Sequence, residues 1–186
     1  KNISHMMLQY GTTSRILEKK ELNINKIIEE VIFIAKAECI KRKINIHTNL
    51  NENTTIYAHE VSLSQVFLNI ILNAMEAIKE SGTIMIYSKI NDQKTTLKIY
   101  IEDNGCGISK ENISKVYDPF YSTKPEHTGL GLSISHNTIE KHKGSINITS
   151  TENSQTKVEI NLPVETSLEK SDPPTLNLLF KNSHAR

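Results

Sequence analysis

The chain has 186 residues, 37% of them hydrophobic, which is enough for one ordinary core and a flanking piece. A net charge of +1 gives no electrostatic footprint for nucleic acid or an anionic membrane, and no apolar run is long enough to span a bilayer or to act as a signal peptide. Cys39 and Cys106 are two isolated thiols, which fits a reducing cytosol better than a disulfide framework, so a cytoplasmic location is expected.

Residues 1 to 22 lack a start methionine and are expected to follow a longer upstream part. Ile3, Met6, Met7 and Tyr10 can form one face of a helix tail, with Ile16 and Leu17 after Gly11-Thr-Thr-Ser. Asn23 or Asn25 caps the next helix, whose inward stripe is Ile28, Val31, Ile32, Ala35 and Cys39 and whose basic end is Lys41-Arg42-Lys43. Ile44 to Leu50 alternates with period two and predicts a half-buried strand, with a turn at Asn51-Glu-Asn-Thr.

The next stretch, Gln65 to Ile78, reads as a helix. Leu63, Phe67, Ile70 and Ala74 recur at the helical interval, and Val66, Ile71 and Ile78 widen the stripe. Asn69, Asn73 and Glu76 share a neighbouring polar face. Asparagine is a poor helix-interior residue, so two of them a turn apart are either a solvated face or a site. Magnesium is the ion such a site would suit, because Mg²⁺ takes hard oxygen ligands and few protein groups when a triphosphate balances its charge.

Ser81-Gly82 ends that pattern. Thr83 to Ile90 and Thr95 to Glu102 predict a hairpin about Asn91-Asp-Gln, and the second strand runs into Asp103-Asn-Gly105-Cys-Gly107-Ile108. Residues 109 to 130 are polar and irregular, which reads as either a disordered stretch or a functional lid. A helix is expected from about Gly131 to Lys143, with Leu132, Ile134, Ser135 and Ile139 inward and Gly144 as its C′ stop. Ser145 to Ser150 and Thr156 to Leu162 predict a last hairpin ended by Pro163. The tail from 164 to 186 is polar apart from an apolar patch at 176 to 180, and is read as disordered or as a docking segment.

The chemistry-bearing residues fall in a telling order. Asp103, at a strand end, offers acceptors only, so it can take a hydrogen bond from the exocyclic amine of adenine and not from the carbonyl of guanine. Gly105 and Gly107 let the backbone bend there without Cβ interference. Thr128-Gly129-Leu130-Gly131-Leu132 opens a helix whose N–H groups and dipole favour phosphate, and Lys124 in the same loop can reach terminal phosphates as a point charge. Together with the two amides, these groups supply metal, adenine and phosphate sites for Mg·ATP.

On these motifs the sequence resembles the catalytic ATP-binding domain of two-component sensor histidine kinases, in the superfamily that also holds gyrase, MutL and the ATP-dependent heat-shock chaperone. Asn69-x-x-x-Asn73-Ala is similar to the family's N box. Asp103 to Gly107-Ile matches the first glycine box, Asp118-Pro-Phe120 the F box, and Thr128-Gly-Leu-Gly-Leu132 the second glycine box. The resemblance covers about residues 23 to 163. It implies an α/β two-layer sandwich, with helices on one face of a mixed, mostly antiparallel sheet and a mobile ATP lid at about 104 to 130.

It further implies that Asn73 holds Mg²⁺, with Asn69 assisting it or the phosphates, and that Asp103 reads the adenine amine beside Gly105, Gly107 and Ile108. Gly129 and Gly131, with Thr128, Leu130 and Leu132, would wrap the phosphates, and Lys124 would meet the γ-phosphate. Tyr121 and Phe120 would anchor the lid, or Phe120 would be structural. Residues 1 to 22 become the end of a dimerisation helix and a linker. The partners implied are a histidine-bearing dimerisation domain of the same protein and a response regulator, with a homodimeric full-length protein and a monomeric fragment.

Asparagine at position 69 lacks the basicity to activate water, which favours phosphotransfer over the hydrolysis of gyrase-like relatives, where a glutamate stands. His5 is followed by Met-Met-Leu-Gln-Tyr and does not match the acceptor pattern of the family. Departures from the family are His127 in place of a glycine, His59 in place of an aspartate (with Ser62 then expected to cap the helix), and a closing strand at 154 to 158 without glycines. A catalytically silent nucleotide-binding module and a Ser/Thr-directed anti-sigma kinase remain the alternatives on the same fold.

Overall fold

The computed structural model describes residues 18–52, 55–124 and 127–164. The proposed helix tail before residue 18, with His5, and the tail from 165 lie outside the described residues. In chain order the elements are β1 (Lys20–Asn23), α1 (Ile24–Lys41), β2 (Ile44–Asn49), β3 (Thr55–Ala58), α2 (Glu60–Ala77), β4 (Gly82–Ile90), β5 (Thr96–Asp103), the short α3 (Lys110–Ile113), α4 (Gly131–Lys141), β6 (Ser145–Thr151) and β7 (Gln155–Pro163).

Five strands form one sheet in the order β2-β4-β5-β7-β6, antiparallel throughout except for the parallel pair β2–β4. A parallel pair needs a long crossover, and α2 is its helix. The asparagine helix is thereby laid across the sheet. Isoleucines at every second position of β4 and β5 (Ile84, Ile86, Ile99, Ile101) meet the buried sides of α1, α2 and α4 in a single core. On the opposite face, Tyr87 stacks on Tyr100 at 4.7 Å, and Lys157 lies 4.6 Å above the Tyr100 ring while it pairs with Glu102 at 2.8 Å. This is an α/β two-layer sandwich with a mixed, mostly antiparallel sheet, as expected.

Several expectations need correcting. Lys20–Asn23 is a strand paired antiparallel with Thr55–Ala58, so the fold begins before residue 23 and the linker reading fails for its last residues. Asn23, of the two candidates, caps α1: its side chain accepts the Asn25 N–H at 2.9 Å. Ser62 does not cap α2. The helix begins at Glu60 with no side-chain cap, and the His59 N–H donates to Nε2 of His142, at the end of α4, at 3.1 Å.

In α4, Ile134 is 40% exposed, while Ser133, Ser135 and Ile139 are buried, and Ser135 faces α2, where its hydroxyl lies 3.4 Å from the Asn69 amide. Gly144 does not supply the left-handed turn after α4. That conformation falls on Lys143 (φ 57°), and Gly144 is needed because a Cβ there would lie 2.3 Å from the Asn161 carbonyl. Lys43 makes the matching left-handed exit from α1, at φ 55°.

Candidate active site

The site is framed by α2, α4 and the loop after β5. Asn69 is buried in the middle of α2, and its Nδ2 donates to the Gly131 carbonyl at 3.2 Å and to the Ser135 hydroxyl at 3.4 Å. Ser135 in turn donates to the same Gly131 carbonyl at 2.8 Å. With the amide nitrogen spent on α4, the amide oxygen is the part of Asn69 left with metal-ligand chemistry. Asn73 follows one turn on, half-buried.

Asp103 ends β5 and is only 6% exposed. One of its oxygens accepts the Gly105 N–H at 2.9 Å, and among the described residues no cation pairs with it. Burial pushes its carboxyl up to about 6, against the pull of that N–H. The loop it opens is stitched to the end of α2, where the Cys106 N–H donates to the Ala77 carbonyl at 2.9 Å. Ile108 packs against the core, and its N–H donates to the Ser150 hydroxyl at 2.8 Å.

The four motif glycines divide into two kinds. A Cβ on Gly105 would lie 2.6 Å from Ala77, one on Gly107 (φ 66°) 2.1 Å from the Thr151 carbonyl, and one on Gly129 (φ 69°) 2.4 Å from the Phe120 backbone. Each of these is glycine because protein backbone occupies the space. Gly131 differs: its Cβ would meet nothing nearer than the Asn69 amide at 3.7 Å, an ordinary contact. Nothing in the protein forbids a side chain there, so the open space at the mouth of α4 fits a phosphate against Asn69 and the first N–H groups of that helix.

Ahead of α4, Thr128 is exposed and Leu130 is the N-cap without a side-chain cap bond, while Leu132, inside α4, packs against the core. Phe120 is 76% exposed with φ 67°, so it does not anchor the lid. One backbone bond and one side-chain bond hold this segment: the Phe120 N–H donates to the Gly129 carbonyl at 3.1 Å, and the Tyr121 hydroxyl donates to the Asn112 amide oxygen at 2.7 Å. Lys124 does not stand free. Its Nζ is 2.6 Å from Oε2 of Glu76, and His127 Nε2 is 3.5 Å from Oε1 of the same carboxylate. Glu76 shares the polar face of the asparagines, three residues past Asn73, and that spacing was the available signal for giving it a place in the site.

A family model described as "Histidine kinase-, DNA gyrase B-, and HSP90-like ATPase" matches residues 58–166. Sporulation kinase E of Bacillus subtilis is 33% identical over 152 residues, covering 81% of this chain and 20% of that protein. The solved catalytic domain of histidine kinase ThkA is 32% identical with a TM-score of 0.72, covering 79% of this chain and 96% of that one. ThkA in complex with response regulator protein TrrA is 30% identical with a TM-score of 0.70, covering 88% and 46% of the two chains. The chain spans between 20 and 35% of the length of the curated relatives it matches. Fold, motif order and these likenesses agree: the chain belongs to the histidine kinase-, DNA gyrase B- and HSP90-like ATPase family, as the ATP-binding kinase domain of a sensor histidine kinase.

Proposed function

We propose that this chain binds Mg·ATP between α2, the Asp103 loop and the lid, and that its γ-phosphoryl group passes to a histidine on a dimerisation domain of the same protein, for relay to an aspartate of a response regulator. The observation that carries this reading is Asp103, a buried carboxylate at a strand end with one oxygen spent on Gly105 and no cationic partner among the described residues. An adenine amine is the donor that such an oxygen lacks.

Each residue then has a role. Asp103 selects adenine, with Gly105, Gly107 and Ile108 shaping the loop beneath it. Asn73 and Asn69 present amide oxygens to the magnesium ion, which when bound neutralises charge on the phosphates. Gly129, Leu130, Gly131 and Leu132 place the N-terminus of α4 against the phosphates, Thr128 and Tyr121 support that wrap, and Lys124 meets the γ-phosphate. The accepting imidazole Nε forms a bond to γ-phosphorus as the bond to the β,γ-bridging oxygen breaks, and ADP leaves. Asn69 offers water no base, so the protein acceptor competes without hydrolysis.

The ThkA–TrrA complex supports a response regulator as partner. The reading places the domain on the cytoplasmic side of a homodimeric sensor, the isolated chain being a monomer that uses no nucleic acid. No helix among the described residues is long and apolar enough to cross a membrane. The test is calorimetric titration with a non-hydrolysable ATP analogue, with and without Mg²⁺ and beside GTP, followed by phosphotransfer to a supplied histidine-bearing domain. Magnesium-dependent, adenine-selective binding with labelling of that domain is expected. Binding without labelling would leave the silent signalling module, and no binding to folded protein would overturn the reading.

A further inference from the structure

Among the described residues, Glu76 is the one member of α2 whose side chain reaches the segment before α4 through charge. Its carboxylate takes Lys124 Nζ on one oxygen at 2.6 Å and faces His127 Nε2 with the other at 3.5 Å. The lid is shaped for this contact. The Ser122 hydroxyl donates to the Lys124 carbonyl at 2.9 Å and accepts the Lys124 N–H at 3.0 Å, and the His127 N–H donates to the same Lys124 carbonyl at 3.2 Å. The turn that carries the lysine is thus bonded to itself while its ammonium points at α2. His127, where the family pattern has a glycine, adds a second nitrogen to the same carboxylate.

We propose that Glu76 sets the discrimination between ATP and ADP, acting as an internal anion that Lys124 exchanges for the γ-phosphate. The inference rests on the assignment of Lys124 to that phosphate. ADP has no group to offer Lys124, so the Glu76–Lys124 pair survives its binding. ATP brings a terminal phosphate with more negative charge and three acceptor oxygens, and Lys124 moves to it. The exchange costs ATP the pair it breaks and costs ADP nothing. For a half-exposed ion pair that difference is small, roughly two- to fivefold in affinity.

The sign of the effect separates this role from two others. A carboxylate that helped to hold magnesium water would make ATP bind more tightly, so its loss would weaken ATP. A carboxylate that merely supported the fold would change both nucleotides alike.

The experiment is titration of the 186-residue chain with ADP and with a non-hydrolysable ATP analogue, both with Mg²⁺, for wild type, Glu76→Gln, Lys124→Met and the double variant, each checked by thermal melting. Glu76→Ala serves if the glutamine variant folds poorly. The expected result is a roughly two- to fivefold gain for the ATP analogue in Glu76→Gln, unchanged ADP, and no effect of Glu76→Gln once Lys124 is methionine. A loss of ATP affinity, or an equal shift of both nucleotides, overturns the proposal while leaving the nucleotide site intact. Absence of binding of either nucleotide to wild type overturns the proposed function itself, and this inference with it.

Discussion

The side-chain amide of Asn69 donates to the backbone carbonyl of Gly131, so the middle of the asparagine helix holds the first residue of the helix that follows the lid. At the far ends of the same two helices, the His59 N–H donates to His142. The two helices are thus bonded at two points, at the start and the middle of α2, and a group bound beside Asn69 meets the N-terminus of α4 at a set position.

The division among the glycines gives the first prediction. Gly131→Ala has room for its methyl group, so the melting temperature should stay within about a degree of wild type while affinity for the ATP analogue falls by tenfold or more. Gly107→Ala meets the Thr151 carbonyl and a left-handed backbone, and should cost about 2 kcal/mol or more in stability. Paired melting and titration of the two variants checks both halves.

Asp103→Asn should separate stability from binding. The folded protein holds the Asp103 proton up to about pH 6, against an ordinary value of 3.8, so it binds that proton more tightly than the unfolded chain does. Stability from this group is therefore full below about pH 4, falls as pH rises to about 6, and stays level above. Asparagine does not titrate and can still accept the Gly105 N–H. The variant should be more stable than wild type at pH 7.5 by about 1–3 kcal/mol, a gain that vanishes near pH 4, and should bind adenine nucleotide far more weakly. Denaturant unfolding at both pH values, without nucleotide, is the measurement.

Lys43 and Lys143 each hold a left-handed backbone at a helix exit, a conformation that costs a side-chain-bearing residue about 1 kcal/mol. They precede β2 and β6, the two edge strands of the sheet, so their effects should add. Lys43→Gly and Lys143→Gly together should raise stability by about 1–2 kcal/mol, read from the denaturant midpoint.

Cys106 is exposed in the Asp103 loop, whereas Cys39 is buried and its thiol is pushed up by that burial. A thiol reagent should modify one equivalent per chain, at Cys106. Saturating Mg·ATP should slow that reaction several-fold. Unchanged labelling would place the nucleotide elsewhere.

Much of this was legible in the sequence because the decisive residues carry chemistry at fixed spacing. Asn69, Asn73, Asp103 and the glycines stand out as odd choices for their local structure, and the long alternating strands announce themselves. Lys20–Asn23 and Thr55–Ala58 do not, since four residues with one or two buried side chains are too few to establish a period. Ile134 misled because hydrophobicity normally marks the inner face, yet on α4 it is the small Ser135 that faces α2, beside Asn69. The glycine boxes suggested a backbone kept bare for a ligand, whereas three of their glycines are bare for neighbouring protein backbone. The partner of Lys124 depends on how the lid folds back over α2, which no local pattern encodes.

The stitch between Cys106 and Ala77 has a consequence for inhibitor discovery on the proposed function. Gly105 and Cys106 fasten the Asp103 loop to the end of α2, so the adenine half of the cleft is shaped before any ligand arrives. A small planar amino-heterocycle that donates to Asp103 would lose little affinity to ordering and should be efficient atom for atom. A longer molecule reaching Lys124 must first displace Glu76, and its extra atoms would add less than their contacts imply. Fragment screening against this domain should therefore return adenine mimics and few phosphate mimics.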